Sequence, residues 1–153
     1  MKPSTHPLFC VLLPAHNEAA HIDAVVRAVL AQGFAAVVVD DGSTDFTARV
    51  AEEAGALVLR QPNNQGKGAA LTRGFAYATE HGFEGVITMD ADGQHDPASL
   101  HDFVDAFVRT GIPVLVGNRM SNPGPMPRHR RLTNRFMSWL ICRHMRQFIP
   151  DTQ

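Results

Sequence analysis

The sequence predicts an α/β fold, a doubly wound and mostly parallel sheet flanked by helices. Short apolar runs rich in β-branched residues alternate with longer helical stretches, which is typical of parallel sheets buried on both faces. Polar residues follow most of these runs at once, as in α/β folds that bind ligands at the carboxyl ends of strands. The 153 residues are 44% apolar and 19% charged, which fits a single domain over residues 1–153.

The strands and helices are expected in strict alternation. Each predicted strand is short, apolar and bounded by Gly, Pro or polar residues; the five lie at 8–13, 36–39, 56–59, 85–89 and 113–116. Four helices are predicted at 17–32, 44–55, 67–81 and 97–110, and an amphipathic fifth at 129–148. The second helix should begin at Ser43 or Thr44 as N-cap and end at Gly55. The fourth opens with Asp96 as a cap before Pro97.

The cysteines and the hydropathy of the chain indicate the cellular compartment in which the protein is expected. Cys10 and Cys142 are far apart in the chain, which favours a reducing cytoplasm over a disulfide scaffold. No apolar run approaches the roughly 18–20 residues that a membrane-spanning helix needs. The run 8–13 is too short for the apolar region of a signal peptide. A cytoplasmic location is therefore expected.

Charge is divided unevenly along the chain. Residues 1–105 carry 14 acidic residues and 6 Lys or Arg, whereas residues 106–150 carry 8 arginines and no acidic residue. Such asymmetry predicts that the C-terminal third faces an anionic partner, although a basic surface without a partner is the simpler alternative. Nucleic acid is not expected to be that partner, because aromatic and groove-binding motifs are missing.

Four polar clusters follow predicted strands, at 14–18, 40–45, 90–94 and 117–119. Since parallel strands end at one edge of a sheet, these clusters should converge on a single site. The cluster MDADGQHDP at 89–97 is the most informative. It does not match an EF-hand loop, because Gln94 occupies the position that requires Asp or Asn, and His101 occupies the position that requires Glu. The segment Gly66-Lys67-Gly68 likewise lacks the glycines and the hydroxyl of phosphate and dinucleotide loops.

A D-x-D turn remains as the interpretation of this cluster. Asp90 and Asp92 can direct carboxylate oxygens at one Mg²⁺ or Mn²⁺, with Gln94 adding an amide oxygen. Such an ion would clamp a diphosphate and stabilise it as a leaving group. The alternative is a solvated turn, with Asp96 capping the next helix.

Five segments in this order resemble family-two glycosyltransferases of the GT-A fold: VLLPAHNE (11–18), VVVDDGSTD (37–45), NNQGKGAAL (63–71), MDADGQHDP (89–97) and GNRM (117–120). The resemblance covers residues 8–153 and is strongest for the branch that transfers a sugar to a polyprenyl phosphate, such as dolichyl-phosphate mannosyltransferases. It implies a nucleotide-sugar and metal half at 1–118 and an acceptor half that begins at 119–153 and continues in relatives beyond that point.

The resemblance also implies roles for individual residues. Pro14, His16 and Glu18 would border the base and ribose, and Asp40 or Asp41 would hydrogen-bond the base. Lys67 would lie in the donor region, unless it is simply a surface lysine at a helix start. The donor and metal set at the D-x-D turn would be Asp90, Ala91, Asp92 and Gln94, with Asp92 nearest the diphosphate.

The acceptor candidates are Arg119, Arg130 and Arg131, because arginine binds phosphate with two parallel hydrogen bonds. A phosphate acceptor is already ionised, so an inverting enzyme would need no general base. The helix at 129–148 could lie on a membrane surface or pack in a core. Two other functions stay open: transfer to a saccharide in polysaccharide synthesis, and a nucleotide-binding remnant without catalysis.

Overall fold

The computed structural model describes residues 8–117, and every structural statement below refers to them. It contains four parallel strands, β1 (Phe9–Ala15), β2 (Ala35–Asp40), β3 (Leu57–Arg60) and β4 (Gly85–Thr88). Four helices alternate with them, α1 (Ile22–Ala31), α2 (Thr47–Glu53), α3 (Lys67–Glu80) and α4 (Leu100–Thr110), the last preceded by a 3₁₀ turn at Pro97–Ser99. The predicted α/β architecture with a parallel sheet is confirmed.

The order of strands in the sheet is β3-β2-β1-β4. The chain therefore moves outward from β1 to β3 on one side and then crosses to β4 on the other, which makes β1 the point where the direction reverses. In the register, Ala15 lies opposite Asp40 and Leu12 lies opposite Thr88. The polar segments that follow β1 and β2 consequently leave the sheet side by side, at the kind of position where α/β folds bind ligands.

Both faces of the sheet are buried, in two separate apolar clusters. Val11 and Leu13 pack with α1 and α2 on one face, and Cys10 and Leu12 pack with α3 on the other. Alternate residues of a strand point to opposite faces, so the continuous apolar run of β1 serves both clusters. Helix α3 approaches closely, since a Cβ added at Gly74 would lie 2.2 Å from Leu12 Cδ1.

The predicted fifth strand is wrong. Residues 113–116 form no strand, and Val114 and Val116 are 74% and 65% exposed. A β-branched run becomes a strand only where a neighbouring strand pairs with its backbone, and none of the described strands pairs with this segment. Residues up to Asp105 form one compact unit, and Ala106 begins a second. The predicted helix 129–148 lies outside the described residues.

Two predicted helix starts are also wrong, whereas the other boundaries agree to within two residues when the 3₁₀ turn at Pro97–Ser99 is counted with the fourth helix. Helix α1 begins at Ile22 instead of residue 17, and α2 begins at Thr47 without a cap from Ser43 or Thr44. The polar residues that look like caps are used to join two loops, as described below. The end of α2 before Gly55 and the Asp96 cap are confirmed, since Asp96 Oδ1 accepts the Ala98 N–H at 2.9 Å.

Candidate active site

The loops that follow β1 and β2 are joined by hydrogen bonds around Asn17. Asn17 adopts a left-handed backbone conformation with φ 57°, which asparagine tolerates better than most residues. Its N–H donates to Ser43 Oγ at 2.9 Å, and its Oδ1 accepts the Thr44 N–H at 2.9 Å. The hydroxyls expected to cap α2 therefore hold the neighbouring loop in place.

Asp45 and Thr47 extend this junction. Thr47 is fully buried, and its hydroxyl accepts the Glu18 N–H at 2.7 Å while it donates to Asp45 Oδ1. Asp45 Oδ2 accepts the Ala19 N–H at 3.2 Å. Hydrogen bonding from the Thr47 hydroxyl is the largest influence on the Asp45 carboxyl and, together with the amides of Thr47 and Ala19, outweighs desolvation and lowers its pKa. These contacts fix the loop that carries His16 and Glu18.

Asp41 organises the loop between β3 and α3. Its side chain is buried at 4% exposure, and Oδ1 accepts hydrogen bonds from Gln61 Nε2 at 2.6 Å and from the Gln65 N–H at 2.8 Å. Oδ2 accepts the Gly66 N–H at 2.8 Å. A buried carboxylate needs such donors. Asp41 thereby places the beginning of α3, and with it Lys67, beside the ends of β1 and β2.

His16 is oriented by the same segment. Its Nδ1 lies 2.9 Å from the Asp41 carbonyl oxygen, which can only accept, so Nδ1 is the donor. Nε2 is then the acceptor for the Asn17 side-chain amide at 3.3 Å. The imidazole is held at the rim of the site with a defined tautomer.

These elements enclose an open pocket of about 170 Å³ at the carboxyl edge of the sheet. It is lined by Pro14, Ala15, His16, Asp41, Asn64, Gly66, Lys67 and Ala70. Helix α3 begins at Lys67 without a side-chain cap, so the positive end of its dipole is directed toward this region. A pocket with a lysine and a helix N-terminus is suited to an anion such as a phosphate.

The D-x-D turn contributes Asp90 next to this pocket. Lys67 Nζ lies 2.5 Å from Asp90 Oδ1, and His95 Nε2 lies 3.7 Å from Oδ2. Burial tends to raise the pKa of the Asp90 carboxyl, but the hydrogen bond and charge of Lys67, together with His95, lower it overall. The carboxylate is thus kept ionised and next to a cation.

Asp90 and Asp92 supply the carboxylate oxygens that a divalent cation prefers as ligands. Lys67 already places a positive charge on Asp90, and Asp92 Oδ1 accepts the Gln94 N–H at 2.9 Å while its Oδ2 makes no hydrogen bond within residues 8–117. No three His, Cys, Asp or Glu side chains group as a metal site in this part of the chain. The two carboxylates would suit an ion such as Mg²⁺, which prefers oxygen ligands and is commonly bound by one or two carboxylates together with substrate phosphates.

The structure brings together several residues predicted from the sequence. Pro14, His16, Asp41 and Lys67 line one pocket, and Asp90 contacts Lys67. Asp40 is buried beneath the loop, where Oδ1 accepts the Ser43 N–H, and Ala91 packs in the core. Glu18 is placed through its backbone by Thr47. Arg119, Arg130 and Arg131 lie outside the described residues.

Sequence reasoning assigned no role to Asp45, Thr47 or Gln61. Asp45 belongs to the segment VVVDDGSTD (37–45), and its position just before a helix is a signal for a local hydrogen-bonding role. Gln61 carries no such signal, because its contact with Asp41 depends on the parallel pairing of β3 with β2, which brings the ends of the two strands together.

Comparison with known proteins shows the family to which the chain belongs. The model of glycosyl transferase family 2 matches residues 10–152, and the chain belongs to that family. Among curated relatives, polyprenol monophosphomannose synthase of Mycolicibacterium smegmatis is 32% identical over 71% of this chain and 44% of its own length. Undecaprenyl-phosphate mannosyltransferase of Micrococcus luteus is 34% identical over 67% of this chain and 43% of its own length.

A solved structure shares the fold of this chain. Glucosyl-3-phosphoglycerate synthase from Mycobacterium tuberculosis, in complex with Mn²⁺, UDP-glucose and phosphoglyceric acid, has a TM-score of 0.55 and is 29% identical over 70% of this chain and 40% of that one. The chain spans between 42% and 66% of the length of the first curated relatives. Within residues 8–117, none of the helices is both long enough and apolar enough to cross a membrane.

Proposed function

We propose that this chain provides the donor and metal half of an inverting glycosyltransferase that moves a sugar from a nucleotide-diphospho-sugar to a polyprenyl phosphate. The observation that carries the proposal is the convergence of three strand-end segments on one pocket, with Lys67 inside it and Asp90 in contact with Lys67. Cationic groups beside a pair of carboxylates suit a diphosphate with its divalent ion.

Each part of the donor has a candidate partner. His16 and Asp41 border the nucleoside, Lys67 and the start of α3 face the diphosphate, and Asp90 and Asp92 hold Mg²⁺ or Mn²⁺, with Gln94 beside them. The ion, when bound, would neutralise charge that develops on the departing diphosphate. The Mn²⁺ and UDP-glucose in the glucosyl-3-phosphoglycerate synthase complex support this assignment.

The acceptor is argued from charge and from relatives. Residues 106–150 carry 8 arginines and no acidic residue, so Arg119, Arg130 and Arg131 are candidates for holding a phosphate. One named relative is a polyprenol monophosphomannose synthase and the other is an undecaprenyl-phosphate mannosyltransferase, which supports a lipid-linked acceptor and contact with a membrane surface. A phosphate oxygen can attack the anomeric carbon without deprotonation by a side chain, which agrees with the absence of acids from this segment.

A small phosphorylated acid is the second candidate acceptor. The phosphoglyceric acid in the complex named above favours it, and the same arginines would serve. Both candidates present a phosphate monoester, so they share the requirement for cationic groups.

Calorimetric titration with GDP-mannose, UDP-glucose and UDP-N-acetylglucosamine, each with Mn²⁺ and with chelator, tests donor binding. We expect one donor to bind only with Mn²⁺ and Asp92→Asn to lose at least about tenfold in that affinity, as even supporting residues of metal sites cost roughly 10–100-fold. Asp102→Asn, at an exposed acid of α4, is the matched control and should bind like the parent.

Product analysis with a short polyprenyl phosphate, 3-phosphoglycerate and a neutral oligosaccharide then separates the acceptors. Binding of every donor at equal affinity with and without Mn²⁺ would contradict the metal assignment. Transfer to the oligosaccharide alone would replace the phosphate acceptor by a saccharide. Metal-dependent binding with no transfer to any acceptor would indicate a nucleotide-binding function.

A further inference from the structure

Lys67 and Asp90 form an ion pair across two elements. Lys67 is the first residue of α3, and Asp90 follows shortly after β4. Their charged atoms are 2.5 Å apart, yet the side chains remain 61% and 41% exposed. An ion pair this exposed contributes little to the stability of a fold. The ion pair can therefore break, and each residue can bind a different partner, with little loss of folding stability.

The pair is also in conflict with the proposed ligand set. Asp90 is one of the two carboxylates assigned to the divalent cation, and Lys67 lines the pocket assigned to the donor. Two cations on one carboxylate repel each other. His95 Nε2 lies 3.7 Å from the second oxygen of Asp90, beyond hydrogen-bond distance. A divalent ion bound to Asp90 therefore competes with Lys67 for this carboxylate and favours release of the lysine.

The surroundings of Lys67 permit this movement. A Cβ added at Gly66 or Gly68 would meet nothing within 4 Å, so the chain on both sides of the lysine borders open space. Helix α3 has no side-chain cap there, and its first amide groups attract anions. A diphosphate that enters the pocket provides the anion to which a displaced lysine can move.

From this geometry, and resting on the function proposed above, we infer that Lys67 is an exchangeable counter-ion that couples metal binding to donor binding. In the free protein it neutralises Asp90. When both ligands are present, Asp90 binds the divalent ion and Lys67 binds the diphosphate. The divalent ion releases Lys67 toward the diphosphate, and the diphosphate draws Lys67 away from Asp90, so the two ligands bind cooperatively. The factor by which the ion raises the affinity for the donor must equal the factor by which the donor raises the affinity for the ion.

The test measures Mn²⁺ affinity directly, without turnover. Free Mn²⁺ is followed by its electron paramagnetic resonance signal, with the parent chain and Lys67→Met, in the absence and presence of saturating UDP or GDP. Met keeps the unbranched stem and removes the charge. We expect Lys67→Met to bind Mn²⁺ alone at least about fivefold more tightly than the parent, the lower end of typical coupling between sites. The factor by which UDP or GDP raises the affinity for Mn²⁺ should be at least about fivefold smaller in the variant than in the parent.

Two control variants make the result specific. Arg27→Gln breaks an ion pair with Asp23 of similar exposure, 60% and 49%, on α1, and should leave both affinities unchanged. Lys67→Arg keeps a cation at the site and should keep the enhancement by nucleotide. Thermal unfolding by circular dichroism verifies that each variant is folded.

The outcomes separate this inference from the function on which it rests. Unchanged or weaker Mn²⁺ binding by Lys67→Met, while the parent binds Mn²⁺ with UDP or GDP, overturns the exchange and leaves the proposed function intact. An equal gain in Arg27→Gln also overturns it, because the effect would then come from net charge. A parent chain that binds neither Mn²⁺ nor nucleotide overturns both proposals.

Discussion

Asp41 illustrates how one buried residue can define a site. Its oxygens accept three hydrogen bonds from residues 61–66, and its own carbonyl orients His16. The carboxylate is therefore already provided with donors before any ligand arrives. Its main effect on a nucleoside in the pocket is expected to be positional, through the loop that leads to Lys67.

Replacing Asp41 with Asn should disturb that loop. One oxygen becomes an amide nitrogen, which either opposes the Gly66 N–H or loses the donors on the other side. Leaving a buried donor unpaired costs about 1–3 kcal/mol, so the free energy of unfolding in urea should fall by that amount. Asp23→Asn is the control, because its exposed pair with Arg27 should be worth about 1 kcal/mol or less. Equal losses in both variants would contradict the role of Asp41.

Asp45 should give the protein an acid-dependent part of its stability. Hydrogen bonding from Thr47 lowers the pKa of this carboxyl below its ordinary value of 3.8. A lowered pKa in the folded state means that the stabilisation is complete above that value and is lost as the pH falls through the lowered pKa. Chemical denaturation at several pH values should show Asp45→Asn less stable than the parent at neutral pH, with the difference shrinking below pH 3.8.

Thr47→Ser retains the hydroxyl that Asp45 uses and should keep the acid dependence of the parent. If Asp45→Asn and the parent lost stability in parallel as the pH fell, the Thr47 contact would not be the cause.

At the scale of elements, the site depends on a close approach between the loop that follows β2 and the loop between β3 and α3. Gly42 has φ 66°, and a Cβ there would lie 2.3–2.6 Å from backbone atoms of Asn63 and Asn64. Only glycine fits this contact, because the opposing atoms are backbone and cannot rotate away. The contact adjoins the pocket, because Asp41, the neighbour of Gly42 in the chain, and Asn64 both line it.

Gly42→Ala should therefore cost more than backbone strain alone. Strain at a positive φ is of order 1–3 kcal/mol, and displacement of the facing loop adds to it. Gly33→Ala is a matched control, because Gly33 has φ 82° but open space around it. Urea unfolding should rank the parent above Gly33→Ala and Gly33→Ala above Gly42→Ala. Equal destabilisation of the two variants would show that the loop yields without cost.

The same scale explains what the sequence could predict. Strands β1 to β4 and helix α3 are recognisable because their apolar residues and boundaries are local signals. The segment 113–116 has the same local signal but lacks a partner strand among those described, and pairing is not encoded locally. Ser43 and Thr44 look like caps, but Asn17 from another loop binds them. The convergence of the clusters after β1, β2 and β4 was predictable from parallel topology. The fourth cluster, at 117–119, was expected to join them, but the strand predicted before it does not form. The Lys67–Asp90 pair was not predictable from the sequence.

For the whole molecule, the division of charge agrees with the proposal of a donor half and a separate acceptor segment. All of Asp40, Asp41, Asp90 and Asp92 fall in the acidic part of the chain, and the candidate arginines fall in the basic part. In the function proposed above, the metal and Lys67 serve the anionic donor, so the phosphate of the acceptor would need cations of its own. Residues 106–150, with 8 arginines and no acidic residue, are the candidates within this sequence.

Arg131→Ala should consequently weaken acceptor binding and spare donor binding. Removing one of the charge-assisted hydrogen bonds to a phosphate typically costs about 1.5–3 kcal/mol, or roughly 10–150-fold in affinity. Titration of a short polyprenyl phosphate into the parent and the variant, with Mn²⁺ and UDP or GDP present, measures the loss of acceptor affinity. Titration of the nucleotide-sugar donor into both proteins tests whether donor affinity is unchanged. Arg49→Ala, which removes an exposed arginine paired with Glu53 on α2, should change neither. Loss of donor affinity in Arg131→Ala would place the basic segment at the nucleotide instead, and equal losses in Arg49→Ala would reduce the effect to net charge.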